Sequence, residues 1–205
     1  MVVIHYTAMQ SAEDAICTLC NPENEVSAHY LIARDGTVTQ MVEESERAWH
    51  AGAGRWAGCE DINSRSIGIE LDNDGFSPFS APLMDALEKL LSAIQTRWDI
   101  PLHHVIAHSD LAPLRKSDPG RRFDWRRLAL GGFAIWPEQG AADAPLRESL
   151  SALGYGVEHF GLEACLDAFR QRFAPMRTGL ETFEDRTEAA SLAARFAVDP
   201  WGTAS

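Results

Sequence analysis

Apolar positions fall into short continuous runs in the first half of the chain and into helical spacing further on. Val2-Val3-Ile4 is an unbroken apolar run that ends on His5, the pattern of a strand buried on both faces. Val105-Ile106-Ala107 repeats it and ends on His108, and Ile67 to Leu71 reads as a third buried strand carrying Glu70 near its end. His29 to Ile32 and Thr37 to Val42 form two further strands around Asp35-Gly36, a hairpin signal. Ser11 to Cys20 predicts a short helix with Ala12, Ala15, Ile16 and Leu19 on one face and Ser11 as N-cap; Asn21-Pro22 ends it. From Pro82 to Trp98, Leu83, Leu87, Leu90, Leu91, Ile94 and Trp98 make a wide apolar stripe, suited to covering one face of a sheet. Strands and helices alternate without a regular βαβ repeat. The expected fold is therefore α/β (α+β): a mixed central sheet flanked by helices.

Trp136 to Pro145 has the Pro, Gly and small-residue content of a linker. Three helical patterns follow. Leu146 to Leu153 stops at Gly154, a C′ residue; Leu162, Leu166, Phe169 and Phe173 share a second face; Ala189, Leu192, Ala193 and Phe196 share a third within Glu184 to Phe196. The chain thus divides into a larger unit over 1–136 and a small three-helix C-terminal domain over 146–198.

The 205 residues, 45% hydrophobic, suffice for a real core. A net charge of −12, from 18 basic and 30 acidic residues, argues against nucleic acid or an anionic membrane as the main partner, because phosphate binding needs clustered cations. No apolar run is long enough to span a membrane. Cys17 and Cys20 form a C-x-x-C with no second pair, so the four cysteines read as free or packed thiols. That fits a reducing, cytoplasmic compartment. Met1 lies inside the strand that carries His5, so an upstream segment with an export signal would make the location periplasmic instead. Nothing in the sequence bears on oligomeric state.

The candidate chemistry sits at the strand ends. Two histidines delivered by apolar strands, with an aspartate in the loop after His108, suit a divalent metal, zinc above all. Three protein ligands leave a fourth position for water. Pro113, Pro119 and Gly120 punctuate that loop and favour fixed turns over helix. An Ala-, Gly- and Trp-rich loop from Ala48 to Asn63 is of the kind that carries binding residues over a rigid scaffold.

Five stretches occur in order: Ile4-His5-Tyr6-Thr7, Ser27 to Ile32, Ala48-Trp49-His50-Ala51-Gly52, Ser66 to Glu70, and His108 to Gly120. Together they resemble the zinc-dependent N-acetylmuramoyl-L-alanine amidases of the AmpD/AmiD type, kin of phage lysozyme amidases and peptidoglycan recognition proteins. The resemblance covers roughly residues 1–130. It implies one zinc ion per chain on His5, His108 and Asp118, a catalytic acidic residue at Glu70 and a catalytic lysine at Lys116. It implies hydrolysis of the amide between N-acetylmuramic acid and L-alanine in peptidoglycan or muropeptides, during cell-wall turnover or recycling. In extended backbone Lys116 and Asp118, two apart, face the same side. Arg115, next to Lys116, reads as surface.

Trp49 and His50 are candidates for substrate binding. His50 contacts substrate or supports a transition state, as the family loop suggests, or equally anchors its loop by a hydrogen bond; Trp49 and Trp56 stack on a sugar or cap the core, capping being the plainer use. His29, His103, His104 and His159 read as structural. The tail resembles a small peptidoglycan-binding domain through Leu153-Gly154-Tyr155 and Ala168 to Phe173, but the loop Pro175 to Gly179 departs from the usual pattern, and a purely structural bundle fits as well. A chain ending near Pro137 is accordingly expected to keep activity on small muropeptides. The rival function is a binding-only peptidoglycan recognition protein, which would be expected to lose at least one of His5, His108, Asp118, Glu70 and Lys116. A second rival is another zinc hydrolase, such as a peptidase or deacetylase; no H-E-x-x-H is present, which removes the commonest peptidase class.

Overall fold

The structure is a computed structural model that describes residues 1–138 and 143–198. The middle of the expected linker, residues 139–142, lies outside the described residues.

In chain order the elements are β1 (Val2–Tyr6), α1 (Ala12–Leu19), β2 (Tyr30–Ile32), β3 (Val38–Gln40), β4 (Ile67–Leu71), α2 (Ala81–Trp98), β5 (Val105–Ala107), α3 (His108–Leu111), α4 (Trp125–Leu130), α5 (Leu146–Ala152), α6 (Val157–Phe160), α7 (Leu162–Phe173) and α8 (Phe183–Phe196). The strands form one mixed sheet in the order β3-β2-β4-β1-β5. β1 runs parallel to β4 and β5, β2 runs parallel to β4, and only the β2–β3 hairpin is antiparallel. No described helix is long and apolar enough to cross a membrane.

Because side chains alternate along a strand, the sheet packs against a different core on each face. Val2 and Ile4 of β1, Ile67, Ile69 and Leu71 of β4, and Val105 and Ala107 of β5 pack on the face covered by α2, through Leu83, Leu87, Leu91 and Ile94, and by Trp125 and Leu128 of α4. The opposite set, Val3 and Ile106, joins a second cluster with Trp56, Leu111, Leu150, Phe169 and Leu192. That cluster contains side chains from the 48–63 loop and from α5, α7 and α8 together. The C-terminal helices therefore cover the second face of the central sheet. Leu31 of β2, on the same side, packs under Ala12 and Ala15 of α1.

Local chemistry explains the element ends. Ser11 caps α1, its Oγ accepting from the Asp14 N–H at 3.1 Å. Ser80 caps α2 with a proline in its first turn. Gly154 follows α5 at φ +107°, a conformation that suits glycine, and its carbonyl accepts from the Ala57 N–H at 2.8 Å. Three features differ from the expected pattern. His108 does not close β5 but opens α3, and the segment expected to favour turns forms one helical turn over His108–Leu111. The Asp110 carboxylate steadies that turn by accepting the Ala107 N–H at 2.9 Å. In the tail, the one-turn α6 stands between the first two expected helices.

Candidate active site

The register of β1 on β4 places His5 directly beside Glu70. Both lie on the face opposite α2, at the carboxyl ends of their strands. His108 begins α3 directly after β5, and Asp118 lies in the loop that follows; the Ser109 N–H donates to the Asp118 carbonyl at 3.0 Å. Three buried atoms converge: His5 Nδ1 lies 2.9 Å from His108 Nδ1, and each lies 3.0 Å from Asp118 Oδ2. This is the one group among the described residues whose side chains fit a metal ion.

The surrounding hydrogen bonds decide which atoms carry protons. His108 Nε2 lies 2.9 Å from the Ala51 carbonyl, an acceptor only, so Nε2 carries the proton and Nδ1 is bare. Ser66 Oγ donates its single proton to the Ile62 carbonyl at 2.7 Å, so it can only accept from His50 Nε2–H, at 3.3 Å. His50 Nδ1 is then bare and accepts from His5 Nε2–H at 3.0 Å, which leaves His5 Nδ1 bare as well. Two unprotonated imidazole nitrogens and a carboxylate oxygen thus point at one another with no proton between them. A cation satisfies that arrangement, and ligand imidazoles held by their second nitrogen are the usual support of a metal site. The residues present fit the metal that the family resemblance implies.

Charge states agree. Burial, then the neighbouring His108, pushes His5 down to about 4, so it is neutral near pH 7. Burial, then His5, holds His50 well below its ordinary value. Burial alone would raise Asp118, but the His108 and His5 rings beside it outweigh burial and hold the carboxyl well below the usual carboxylate range. Glu70 moves the opposite way: burial, then the Asp118 charge, raises it well above the ordinary value, with Lys116 opposing. Glu70 Oε2 is buried and has no hydrogen-bond partner. A carboxyl that is desolvated and unengaged beside the three converging atoms is poised to exchange a proton. Lys116 is close enough for its charge to act on both His5 and Glu70.

His50, left open between substrate contact and loop anchor, hydrogen-bonds to His5. Its seat depends on Gly68: a Cβ there would come within 2.3 Å of the imidazole. Asn63 Oδ1 accepts from the N–H groups of His50 and Ala51 at 3.1 and 2.8 Å, fixing the loop. Trp49 is 50% exposed beside it, with its N–H donating to Ser27 Oγ at 2.9 Å, whereas Trp56 is buried in the core. His29 is structural: its Nδ1 accepts the Gly68 N–H at 3.0 Å. The four cysteines are free, Cys17 and Cys20 exposed and Cys59 and Cys165 buried.

Arg115 is exposed, as expected, but it has a role that the surface reading did not include. Its guanidinium donates to the carbonyls of Ala51 and Ala53 at 2.7 and 2.6 Å, clasping the carbonyl that also holds His108. An arginine in a Pro-rich loop carries no sequence mark for such a role. Asp110, Tyr155 and Arg172, which form a buried network behind His108, also went unmarked. Their signal is a three-dimensional pairing across 45 and 62 residues.

Comparison with known proteins agrees with this geometry. The profile of the family described as N-acetylmuramoyl-L-alanine amidase matches residues 1–121. The N-acetylmuramoyl-L-alanine amidase AmiD of Escherichia coli is 39% identical over 154 residues, 67% of this chain and 55% of that protein. The 1,6-anhydro-N-acetylmuramyl-L-alanine amidase AmpD of Haemophilus influenzae is 42% identical over 103 residues, 50% of this chain and 56% of that protein. The chain thus spans little more than half the length of these relatives. Among solved structures, E. coli AmiD in complex with the substrate anhydro-N-acetylmuramic acid-L-Ala-D-gamma-Glu-L-Lys superposes with a TM-score of 0.88 at 33% identity, covering 97% of this chain and 90% of that one. AmpDH3 of Pseudomonas aeruginosa in complex with anhydromuramic pentapeptide gives 0.85 at 28% identity, covering 97% and 92%. With a profile that matches more than half of its length, and with the same mixed sheet and flanking helices throughout, the chain belongs to the N-acetylmuramoyl-L-alanine amidase family.

Proposed function

We propose that this protein is a zinc-dependent hydrolase of the amide bond between N-acetylmuramic acid and L-alanine, acting on peptidoglycan fragments in cell-wall turnover or recycling. The observation that carries the reading is the convergence of two bare imidazole nitrogens and a carboxylate oxygen beside the unpartnered Glu70 carboxyl. The muropeptide complexes of AmiD and AmpDH3 support the substrate class.

His5, His108 and Asp118 hold one zinc ion. Zinc at such a site supplies Lewis acidity, lowering the pKa of a water to about 7 and polarising a carbonyl. Glu70 takes a proton from the attacking water and delivers it to the muropeptide nitrogen as the C–N bond breaks, so one water is consumed and a free amine and a free acid are released. Its unengaged Oε2 leaves it free for both transfers. The Lys116 ammonium faces the negative charge that develops on the carbonyl oxygen. His50 orients His5, and the exposed Trp49 ring offers a face to the sugar.

Glu70→Gln tests the reading against a binding-only protein of the same fold. The amide keeps the size and the zinc but cannot take a proton, so turnover should fall roughly 100-fold or more with metal content unchanged. Lys116→Ala should lower kcat by about 100-fold with a smaller change in KM, since the charge it meets exists only on the way to the tetrahedral species. A Glu70→Gln enzyme with full zinc and normal turnover removes the general base from the account. A wild-type chain that binds muropeptide and never cleaves it favours the recognition protein.

A further inference from the structure

The C-terminal helices reach behind the metal site through one buried carboxylate. Asp110 is fully buried, two residues after His108 on the same single helical turn. Its Oδ1 accepts the Tyr155 hydroxyl at 2.7 Å, and its Oδ2 accepts Arg172 Nη1 at 3.0 Å and the Ala107 N–H at 2.9 Å. Arg172, also buried, extends its other arm to the Val105 carbonyl at 2.8 Å, and its guanidinium stacks 4.4 Å from the Trp125 ring. Tyr155 and Arg172 both belong to the C-terminal unit; Val105, Ala107 and Asp110 frame His108 on β5 and α3.

A single helical turn has no intrinsic stability, because nucleation fixes several residues for one hydrogen bond. Something outside α3 must hold it. A buried carboxylate with three donors is a stiff, high-stakes node, since losing a donor strands a charge away from water. Two of the three donors come from the tail.

We propose that Arg172 and Tyr155 are positioning residues of the metal site: through Asp110 they fix α3, and with it the direction in which His108 presents Nδ1. The C-terminal unit is then a built-in half of the metal site's support, whatever else it binds. The proposal rests on reading His5, His108 and Asp118 as a zinc site.

The test uses the full chain and measures zinc affinity by competition with a chromophoric chelator, together with the visible spectrum of the cobalt-substituted protein. Arg172→Met and Tyr155→Phe should weaken zinc binding roughly 10- to 100-fold, the usual cost of losing a group that orients a ligand, and should shift the cobalt bands. Arg172→Lys keeps the charge and one hydrogen bond and should fall between wild type and Arg172→Met. Leu192→Ala, in the same apolar cluster but away from Asp110, should lower the melting temperature and leave affinity and spectrum as in wild type. Should Arg172→Met fail to fold, Tyr155→Phe, which loses only a hydroxyl, decides the matter. Folded variants with wild-type affinity and cobalt spectrum overturn the proposal, and so does an equal loss of affinity in Leu192→Ala. A wild-type chain that takes up no zinc overturns the metal reading itself, which separates that failure from this one.

Discussion

The two faces of the central sheet are built by different means. One is covered by α2, an 18-residue helix that lays Leu83, Leu87, Leu91 and Ile94 against Ile4, Ile69 and Val105. The other carries His5 and Glu70 and is covered piecewise by the 48–63 loop, the single turn α3 and the C-terminal helices. The first face is held by one continuous apolar stripe. The second adds polar anchors to its own apolar cluster: Asn63 on the loop, Arg115 on the Ala51 and Ala53 carbonyls, and Arg172 and Tyr155 on Asp110. A face that must present polar ligands at a strand end cannot be closed by apolar packing alone, so around those ligands it also uses groups that satisfy one another.

Removal of residues 138–205 should have the largest effect. It uncovers Val3, Ile106, Leu111 and Trp56 and leaves Asp110 with one of its three donors. Several large buried side chains leave at once, each worth about 3 kcal/mol, against a total stability of about 5–15 kcal/mol. The truncated chain should show no cooperative thermal transition by circular dichroism. This replaces the expectation that a chain ending near Pro137 keeps its activity; a cooperative melt with retained zinc would restore it. Leu87→Ala, on the α2 face, should cost about 2–5 kcal/mol in denaturant titrations yet leave the zinc affinity of the folded protein unchanged. A loss of affinity there would mean that the two faces are not separable.

Gly68→Ala should do the reverse. Its methyl group collides with the His50 ring, displacing the imidazole that holds His5, so zinc affinity should drop roughly 10-fold or more while the α2 face is untouched. The smallest effect concerns acid. Burial alone would raise Asp185, but hydrogen bonds from Arg170 and Arg177 outweigh it and bring the carboxyl down to about 2. A depressed carboxyl stabilises the fold fully above its unfolded value near 4, and that contribution, about 2 kcal/mol, disappears as pH falls through about 2. Asp185→Asn should therefore flatten the drop in stability between about pH 4 and pH 2, measured by urea titration at each pH.

What could be read in the sequence follows the same division. β1, β4, β5 and α2 were legible because unbroken apolar runs and a helical stripe are local patterns. The strand-end histidines, with the family resemblance, marked His5, His108, Asp118 and Glu70, and the structure brings His5, His108 and Asp118 together beside Glu70. α3 and α6 escaped because four residues hold no period. Arg115 read as surface and Arg172 went unmarked because a guanidinium that clasps a carbonyl or a carboxylate is defined by a partner far away in the chain. His50 stood between two roles until its partner was visible.

The central claim is the bond that is cut. The most direct measurement is to incubate the zinc-loaded protein with anhydro-N-acetylmuramic acid carrying L-Ala-D-γ-Glu-L-Lys and to identify the products by mass. The account predicts two products that together contain one added water: the free anhydro-N-acetylmuramic acid and a tripeptide with a free L-alanine amine. Intact substrate in the presence of full zinc occupancy, or cleavage at any bond within the peptide, would contradict it.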